Sequence, residues 1–303
     1  MYNKNMNGGR PFLQFLRALI PSRLRVKIEY RIKCKRKLNL KYPKRFSEKI
    51  QWYKLNYKTP LMTRLVAKDT VRDYVEERGL KHILNEVYGI YENVDHINFD
   101  ILPNEFVIKL NTGSGLNIIV KDKKELNINE VKRTLRKWLK VKPWIFGSEW
   151  AYKKVKPKIV IEKYLEELTI EGISDYKFFS FDGEIEYLYV YNINQFGEKV
   201  SSVFNINFEN TGFYRNGYKP IEGKLKKPDN FDEMIEYARI LSKGIPHVRV
   251  DLYNIKGKIL FGEMTFYSRG GYNNFIPDEF DYILGSKFQL STLKSAHGDL
   301  HES

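Results

Sequence analysis

Phe106-Val-Ile-Lys-Leu-Asn-Thr-Gly-Ser-Gly-Leu-Asn-Ile-Ile-Val120 reads as a lysine-bearing strand, a short glycine-rich loop and a second apolar strand. Side chains alternate along a strand, so Val107, Lys109 and Asn111 share one face and Phe106, Ile108 and Leu110 the other. Lys109 is therefore an ammonium on an otherwise apolar strand. Burying it unpaired is costly, and a polyphosphate is one group that compensates. The loop Thr112-Gly113-Ser114-Gly115 can bring backbone N–H groups close to anionic oxygens, because two of its positions lack a Cβ. A Walker A loop ends Gly-Lys-Ser/Thr and runs into a helix, whereas this loop runs into the strand-like Asn117-Ile-Ile-Val120. The expectation is a hairpin flap over a nucleotide, although an ordinary hairpin with a surface lysine has the same local pattern.

With 303 residues, 42% of them hydrophobic, the chain can bury a substantial core as one large domain or as two or three intimate lobes. Its 21 Tyr and 19 Phe can line sugar or base surfaces, their commoner use being core and cross-strand packing. The single cysteine, Cys34, excludes an internal disulfide framework and a multi-thiolate metal site and suits a reducing compartment, so the cytoplasm is expected. No apolar run reaches the ~20 residues that span a bilayer, and the N-terminus lacks the charged-then-apolar order of a secretory signal.

The net charge of +15 is unevenly spread. Residues 1–50 carry fifteen Lys and Arg against Glu29 and Glu48, which leaves only +2 for the other 253 residues. Within that arm, Phe12-Leu13, Phe15-Leu16 and Leu19-Ile20 form an apolar stripe at helical spacing, closed by Pro21. Ser22 is then a candidate cap for a second, Arg/Lys-dense helix running toward Leu38. A basic amphipathic segment followed by a polybasic one suggests that residues 10–37 adsorb to an anionic membrane surface, peripherally and on its inner face. A charged face docked by its apolar stripe on the protein's own body explains the same pattern. Nucleic acid is disfavoured, because the rest of the chain is nearly neutral and no zinc finger, RRM or helix-turn-helix signature is present.

Helical spacing predicts helices from Phe46, with Ser47 as cap, to Leu55, from Asp69 to Arg78 with Gly79 as stop, from Asn129 to Lys140, and from Phe231 to Lys243. Strands are expected over 158–165, and over 175–181 and 184–190 as a hairpin turned by Asp182-Gly183. A second hairpin joins Val248-Arg-Val-Asp-Leu-Tyr253 to Ile259 through Thr265. If Ile255-Lys256-Gly257 is a three-residue loop, residue 251 faces 261 and 249 faces 263, so that Arg249, Asp251 and Glu263 crowd one face. Two carboxylates so arranged suit Mg²⁺, which takes hard oxygen ligands and completes its shell with water and substrate phosphate. A two-residue turn would put Glu263 on the opposite face. An Arg–Glu cross-strand pair beside a solvated Asp251 is the plainer alternative.

These residues bear a family resemblance from about Pro43 to Leu290. The runs that carry it are Phe46-Ser-Glu-Lys-Ile-Gln-Trp52, Lys68-Asp-Thr-Val-Arg-Asp-Tyr-Val75, Phe106-Val-Ile-Lys109 with Gly113-Ser-Gly115, Glu162-Lys-Tyr-Leu165, Asp175-Tyr-Lys-Phe178, Arg249-Val-Asp-Leu-Tyr253 and Phe261-Gly-Glu-Met-Thr-Phe266. The sequence resembles the TupA-like ATP-grasp family of teichuronopeptide and surface polysaccharide biosynthesis. The resemblance implies an α+β protein of ATP-grasp fold, two lobes whose antiparallel sheets clamp ATP, organised as a basic helical arm (1–45), an N-terminal lobe (46–105), a central lobe with the flap (106–170) and a C-terminal lobe with the catalytic hairpin (171–303). It further implies ATP and Mg²⁺ as cofactors. Lys68 and Lys109 would contact phosphates under a flap of Gly113, Ser114 and Gly115; Glu162 and the Leu165 backbone would meet the adenine; and Lys177 would lie near the nucleotide. Arg249 would steady the transferring phosphate while Asp251 and Glu263 hold the metal. Arg269, in Tyr267-Ser-Arg-Gly-Gly-Tyr272, is a candidate for cradling an acyl phosphate, and a surface turn accounts for it equally.

Two positions depart from the family pattern. Thr265 stands where many ATP-grasp proteins carry a metal-binding Asn, and Thr112 where the family commonly has a His before the flap. The activity implied is an ADP-forming carboxylate–amine ligase that joins, for example, an amino acid to a uronic acid of a capsular or cell-wall glycan through an acyl phosphate. A glycosyltransferase is one alternative, opposed by the antiparallel pattern. A non-catalytic, membrane-associated glycan-binding protein is the other, opposed by the presence of Lys109, Asp251 and Glu263.

Overall fold

The computed structural model describes residues 20–113, 115–142, 144, 148–165, 175–194, 196–290 and 293. The described helices are α1 (Ser22–Cys34), α2 (Phe46–Asn56), α3 (Pro60–Leu65), α4 (Thr70–Glu77), α5 (Ile128–Trp138), α6 (Phe231–Ser242) and α7 (Glu279–Lys287). The strands are β1 (Val87–Tyr91), β2 (Phe106–Leu110), β3 (Asn117–Val120), β4 (Ile159–Lys163), β5 (Asp175–Phe181), β6 (Glu184–Ile193), β7 (Lys199–Asn205), β8 (Tyr214–Arg215), β9 (Val248–Ile255), β10 (Lys258–Thr265) and β11 (Phe275–Ile276). The chain divides into two compact units, one built on Thr59–Glu166 and the other on Pro21–Lys58 together with Glu167–Ser303. Among the described residues no helix is long and apolar enough to cross a membrane.

The first unit is a four-stranded antiparallel sheet in the order β1-β4-β2-β3. Alternation in β2 sends Phe106, Ile108 and Leu110 into a core shared with Ile118, Val120, Ile159 and Ile161. Helix α5 covers it with Val131 and Leu135, its first turn capped by the Asn127 side chain, which accepts from the Glu130 amide at 3.0 Å. The lysine-bearing strand, loop and apolar strand therefore form a hairpin, with Lys109 paired opposite Asn117 on β3 and Val160 on β4.

In the second unit β10-β9-β5-β6-β7 form a five-stranded antiparallel sheet, and β8 and β11 form a short ribbon. Asp182 and Gly183 both take positive φ, 56° and 89°, the geometry of a tight hairpin turn. Helix α6 inserts Met234, Ile235, Ala238 and Leu241 toward the core, as its periodicity predicts.

The β9–β10 hairpin differs from expectation in an instructive way. Ile255 pairs with Lys258, so the turn has two residues, Lys256 and Gly257, with φ of 51° and 83°. Continued in register, such a turn turns Glu263 away from Asp251. A bulge between Phe261 and Glu263 inserts Gly262 as an extra residue, so that Phe261 pairs with Leu252 and Glu263 with Asp251, and Thr265 with Arg249. The expected pairings of 251 with 261 and of 249 with 263 are thus both replaced, yet the carboxylates still share a face.

Two serines expected as caps are not caps. Helix α1 begins at Ser22 with Pro21 ahead of it, and α2 begins one residue before Ser47. Ser47 is buried; its amide and hydroxyl donate to Asp281 at 2.8 and 2.6 Å, and its Oγ shares a 2.7 Å hydrogen bond with Tyr30 of α1. Glu48 supplies the α2 N-terminus instead, accepting from the Lys44 and Arg45 amides. With Val26, Tyr30 and Cys34 buried alongside Leu38, Leu40 and Tyr272, α1 is part of the second unit's core. The stripe from Phe12 to Leu19 lies outside the described residues.

Candidate active site

Within the first unit the flap is anchored from below. Asn111 is fully buried and has its polar groups satisfied: its side chain donates to Asp69 (2.9 Å) and the Lys156 carbonyl (3.0 Å) and accepts from the Lys158 amide (2.9 Å). Asp69 in turn pairs with Lys158 at 3.1 Å. This holds Lys68 against the loop, since the Lys68 amide donates to the Asn111 carbonyl (3.0 Å) and its ammonium to the Gly113 carbonyl (2.7 Å). Gly113 and Gly115 have φ of 72° and 82°, a conformation that excludes most side chains. Ser114 lies outside the described residues. Thr112, where the family pattern has a His, is buried with its hydroxyl unpartnered.

Lys109 forms an ion pair with Glu162, the residue of β4 that lies opposite Val107. The family resemblance implies separate roles for these two residues, on phosphate and adenine; the fold makes them partners. Neither is fully enclosed, so the pair is able to open toward an incoming anion without stranding a buried charge. Leu165 follows two residues beyond the end of β4. Tyr164, next to it, is buried with its hydroxyl unpartnered.

Within the second unit the β9, β10 and β5 strands assemble a dense charge cluster. Arg249 is buried and forks onto Asp251, its Nε and Nη2 each donating at 2.6 Å to a different carboxylate oxygen. Its Nη1 donates to the Ser268 hydroxyl at 2.7 Å, and its Nη2 also reaches Thr265 at 3.2 Å and Glu263 at 3.4 Å. Lys177, opposite Asp251 on β5, pairs with Asp251 at 2.7 Å and with Asp175 at 2.5 Å. Burial alone would depress the Lys177 pKa, but Asp175 and Asp251 hold it above its ordinary value; burial likewise acts against the charge of Arg249, which Asp251 chiefly holds up. Burial raises the pKa of Asp175, whose Oδ1 has no hydrogen-bond partner. Asp175 is a member of the cluster that pattern reading passed over. Its position two residues before Lys177, on the same strand face, was the available signal.

The donor set fits one hard divalent cation held in part by the substrate. Among the described residues no group of three or more His, Cys, Asp and Glu side chains gathers into a complete metal site. Asp251 and Glu263 stand opposite each other, and Asp251 Oδ1, which accepts from Arg249 Nε, retains acceptor capacity for a metal. Mg²⁺ is commonly bound in this way, by one or two carboxylates plus substrate phosphates. The side chain of Glu263 is 42% exposed against 1% for Asp251, so Glu263 is the more accessible of the two carboxylates. Thr265, in the position of the missing Asn, donates to Glu263 at 2.9 Å and so orients that carboxylate.

Arg269 sits in a tight turn in which Arg269, Gly270 and Gly271 all have positive φ. The Gly270 amide donates to the Tyr267 carbonyl at 2.6 Å, and the Gly270 carbonyl accepts from Gln51 (3.0 Å) and Lys54 (2.7 Å) of α2. A Cβ on Gly271 would come within 2.6 Å of the Gln51 amide, so this close approach requires glycine. The turn is thereby fixed against the protein's own helix, with the exposed Arg269 guanidinium donating to the Asn216 carbonyl at 3.4 Å.

A family model described as TupA-like ATPgrasp matches residues 48–289. No curated protein matches the chain. Among solved structures, D-alanine–D-alanine ligase from Bacillus anthracis is similar at 15% identity, covering 77% of this chain and 70% of that one with a TM-score of 0.47. The ATP-grasp ligase PsnB complexed with a minimal precursor is similar at 11% identity (80% and 68% covered, TM-score 0.43), and D-cycloserine synthetase DcsG at 13% (78% and 72%, TM-score 0.44).

Proposed function

The chain belongs to the TupA-like ATP-grasp family of ATP- and Mg²⁺-dependent, ADP-forming ligases, and we propose that it joins a carboxylate of a surface glycan to an amine through an acyl phosphate. The observation that carries this reading is the cluster of Arg249, Asp251 and Lys177 with Asp175 and Glu263 beside it, in which two fixed cations are interleaved with hard carboxylate oxygens.

In the proposed reaction a carboxylate oxygen attacks the γ-phosphorus of ATP and the bond to the β–γ bridging oxygen breaks, ADP leaving with the electron pair. The nitrogen of an amine then attacks the acyl carbon. Phosphate leaves with its electron pair, and the amine loses a proton to give the amide. Mg²⁺, when bound, supplies a Lewis acid that offsets charge on the phosphates. The protein's own contribution is positioning and fixed charge. Arg249 is oriented by Asp251, Ser268 and Thr265, so that it faces the transferring group without reorganisation. Lys177 spends two of its three donors on Asp175 and Asp251 and keeps one for a phosphate oxygen. Lys68, Lys109 and the glycines of the flap hold the rest of the triphosphate, while Glu162 and the Leu165 backbone meet the adenine. Arg269 contributes charge at the acyl phosphate through its side chain, since the Gly270 amide is already engaged.

A lipid-linked or membrane-proximal glycan at the inner face of the membrane is supported by the outward side of α1. Its inner side is docked through Val26, Tyr30 and Cys34, while Leu24, Ile28 and Ile32 stand 51%, 46% and 69% exposed in a row at four-residue spacing. Arg23, Lys27, Arg31 and Lys35 form an exposed parallel row beside it. Apolar and cationic rows side by side suit an anionic leaflet, where each basic residue contributes about 1 kcal/mol.

The test is product analysis with ATP, Mg²⁺, a uronic-acid glycan and a panel of amino acids. ADP, phosphate and an amide in equal amounts are expected; transfer of a sugar in place of amide formation would favour a glycosyltransferase.

A further inference from the structure

The turn from Ser268 to Gly271 holds three successive residues in the left-handed region, Arg269, Gly270 and Gly271, with φ of 53°, 65° and 79°. An arginine is disfavoured there, so such a backbone persists only where its surroundings impose it. Helix α2, in the same unit, supplies that constraint. Lys54 is 1% exposed; its ammonium donates to the Gly270 carbonyl at 2.7 Å and lies 4.8 Å from the centre of the Tyr272 ring. Gln51 donates to the same carbonyl at 3.0 Å and packs where a Cβ on Gly271 would stand.

Packing does not demand a lysine at this position. A methionine would fill the space without the cost of taking an ammonium out of water. What the charge adds is a hydrogen bond stronger than a neutral donor makes, and it acts on the turn that carries Ser268. Ser268 is buried; its carbonyl accepts from the Asn273 side chain at 3.2 Å, and its hydroxyl accepts from Arg249 Nη1 at 2.7 Å. The Nε and Nη2 of Arg249 are turned to Asp251, so Ser268 orients the remaining nitrogen.

We propose that Lys54 is a positioning residue: by fixing the Gly270 carbonyl it sets Ser268, and through Ser268 it holds Arg249 in the orientation that meets the transferring phosphoryl group. This rests on the place given to Arg249 in the ligase reading above. Enclosed between α2 and the turn, Lys54 itself meets no substrate. Its loss should therefore tell on the transfer step and not on nucleotide binding.

The test compares binding of MgADP alone to the full chain with binding of MgADP plus aluminium fluoride, which stands in for the phosphoryl group in transit. Wild type should bind MgADP about 10-fold or more tightly with the fluoride, as transition-state mimics do. Lys54→Met should bind MgADP alone within about twofold of wild type and lose about 10-fold of that gain. Its melting temperature should be unchanged or higher, because an apolar side chain of similar size replaces a buried charge. Ser268→Ala should lose the gain to a similar extent, and Lys54→Met combined with Ser268→Ala no more than the worse single variant, since both act on one guanidinium. Gln51→Leu, which removes the other donor to the Gly270 carbonyl, should lose part of the gain. An intact gain in Lys54→Met, or in Gln51→Leu where Lys54→Met does not fold, would reduce the clamp to a structural element and overturn the inference. Losses that add in the double variant would overturn it too. If wild type binds MgADP but gains nothing from the fluoride, the inference falls and the ligase reading stands; failure to bind MgADP at all would overturn both.

Discussion

Glu263 stands directly opposite Asp251 across the β9–β10 ladder because Gly262 is the extra residue of a bulge. A Cβ at position 262 would lie 3.0 Å from the Asp251 carbonyl oxygen and 3.1 Å from the Tyr253 ring. Gly262→Val is therefore expected to destabilise the protein by about 1–3 kcal/mol through overpacking and to raise the Mg²⁺ concentration needed for half-maximal turnover. Urea denaturation and a Mg²⁺ titration of ADP release check the two effects. An unaltered Mg²⁺ requirement would mean that the pairing of these carboxylates does not serve the metal.

Lys109 is expected to bind the triphosphate by exchanging Glu162 for a phosphate oxygen. Lys109→Ala should weaken ATP about 10–100-fold, the range for a lost hydrogen bond to a charged group, with a small change in melting temperature because the pair is partly exposed. Calorimetric titration with ATP provides the measurement. Unchanged affinity in a folded Lys109→Ala protein would remove the phosphate grip from the account.

His247 gives the fold an acid-sensitive element. Burial pushes its pKa down to about 3 from 6.5. The folded state thus selects neutral imidazole, while the unfolded chain takes up a proton once pH falls below about 6.5. The stabilisation is complete above that value and is lost between there and about pH 3, at roughly 1.4 kcal/mol per pH unit. Unfolding free energies compared at pH 7, 6 and 5 should fall more steeply for wild type than for His247→Gln. Parallel slopes would show that His247 does not contribute.

The α1 surface makes a prediction that separates docking from adsorption. Replacing Leu24, Ile28 and Ile32 together by Ser should strip the protein from anionic vesicles while leaving melting temperature within a few degrees, since these side chains are exposed. Molar salt should release the wild type, because charges on a surface are screened within about 3 Å at that ionic strength. Deleting residues 1–40, by contrast, should unfold the second unit, because it removes Val26, Tyr30 and Cys34 from its core. Vesicle sedimentation and circular dichroism distinguish the two. Equal vesicle binding by the triple variant and wild type would rule out adsorption through α1.

The lysine-bearing hairpin, the Asp182-Gly183 turn and the inward face of α6 were legible in the sequence because each is set by local periodicity or turn chemistry. The β9–β10 register was not, since its two-residue turn and its Gly262 bulge act in opposite directions and only their combination returns Glu263 to the face of Asp251. Ser47 looked like a cap because its neighbours begin a helix. Its hydroxyl instead meets Tyr30, 17 positions away, and Asp281, 234 positions away. Lys54 and Gly270 are likewise joined only by tertiary structure, so no motif announces their contact. Arg249 and Asp251 were readable as neighbours because they sit on alternate positions of one strand, whereas Glu263 was grouped with them through the wrong turn length and joins them only by way of the Gly262 bulge.

The most direct test of the central claim follows oxygen. A uronic-acid glycan labelled with ¹⁸O in its carboxylate is incubated with the protein, ATP, Mg²⁺ and the accepting amine, and the released phosphate is analysed by mass. An acyl phosphate requires that one carboxylate oxygen leave with the phosphate, so the account predicts ADP and phosphate carrying one ¹⁸O per amide formed. Unlabelled phosphate, or AMP and pyrophosphate as products, would contradict it.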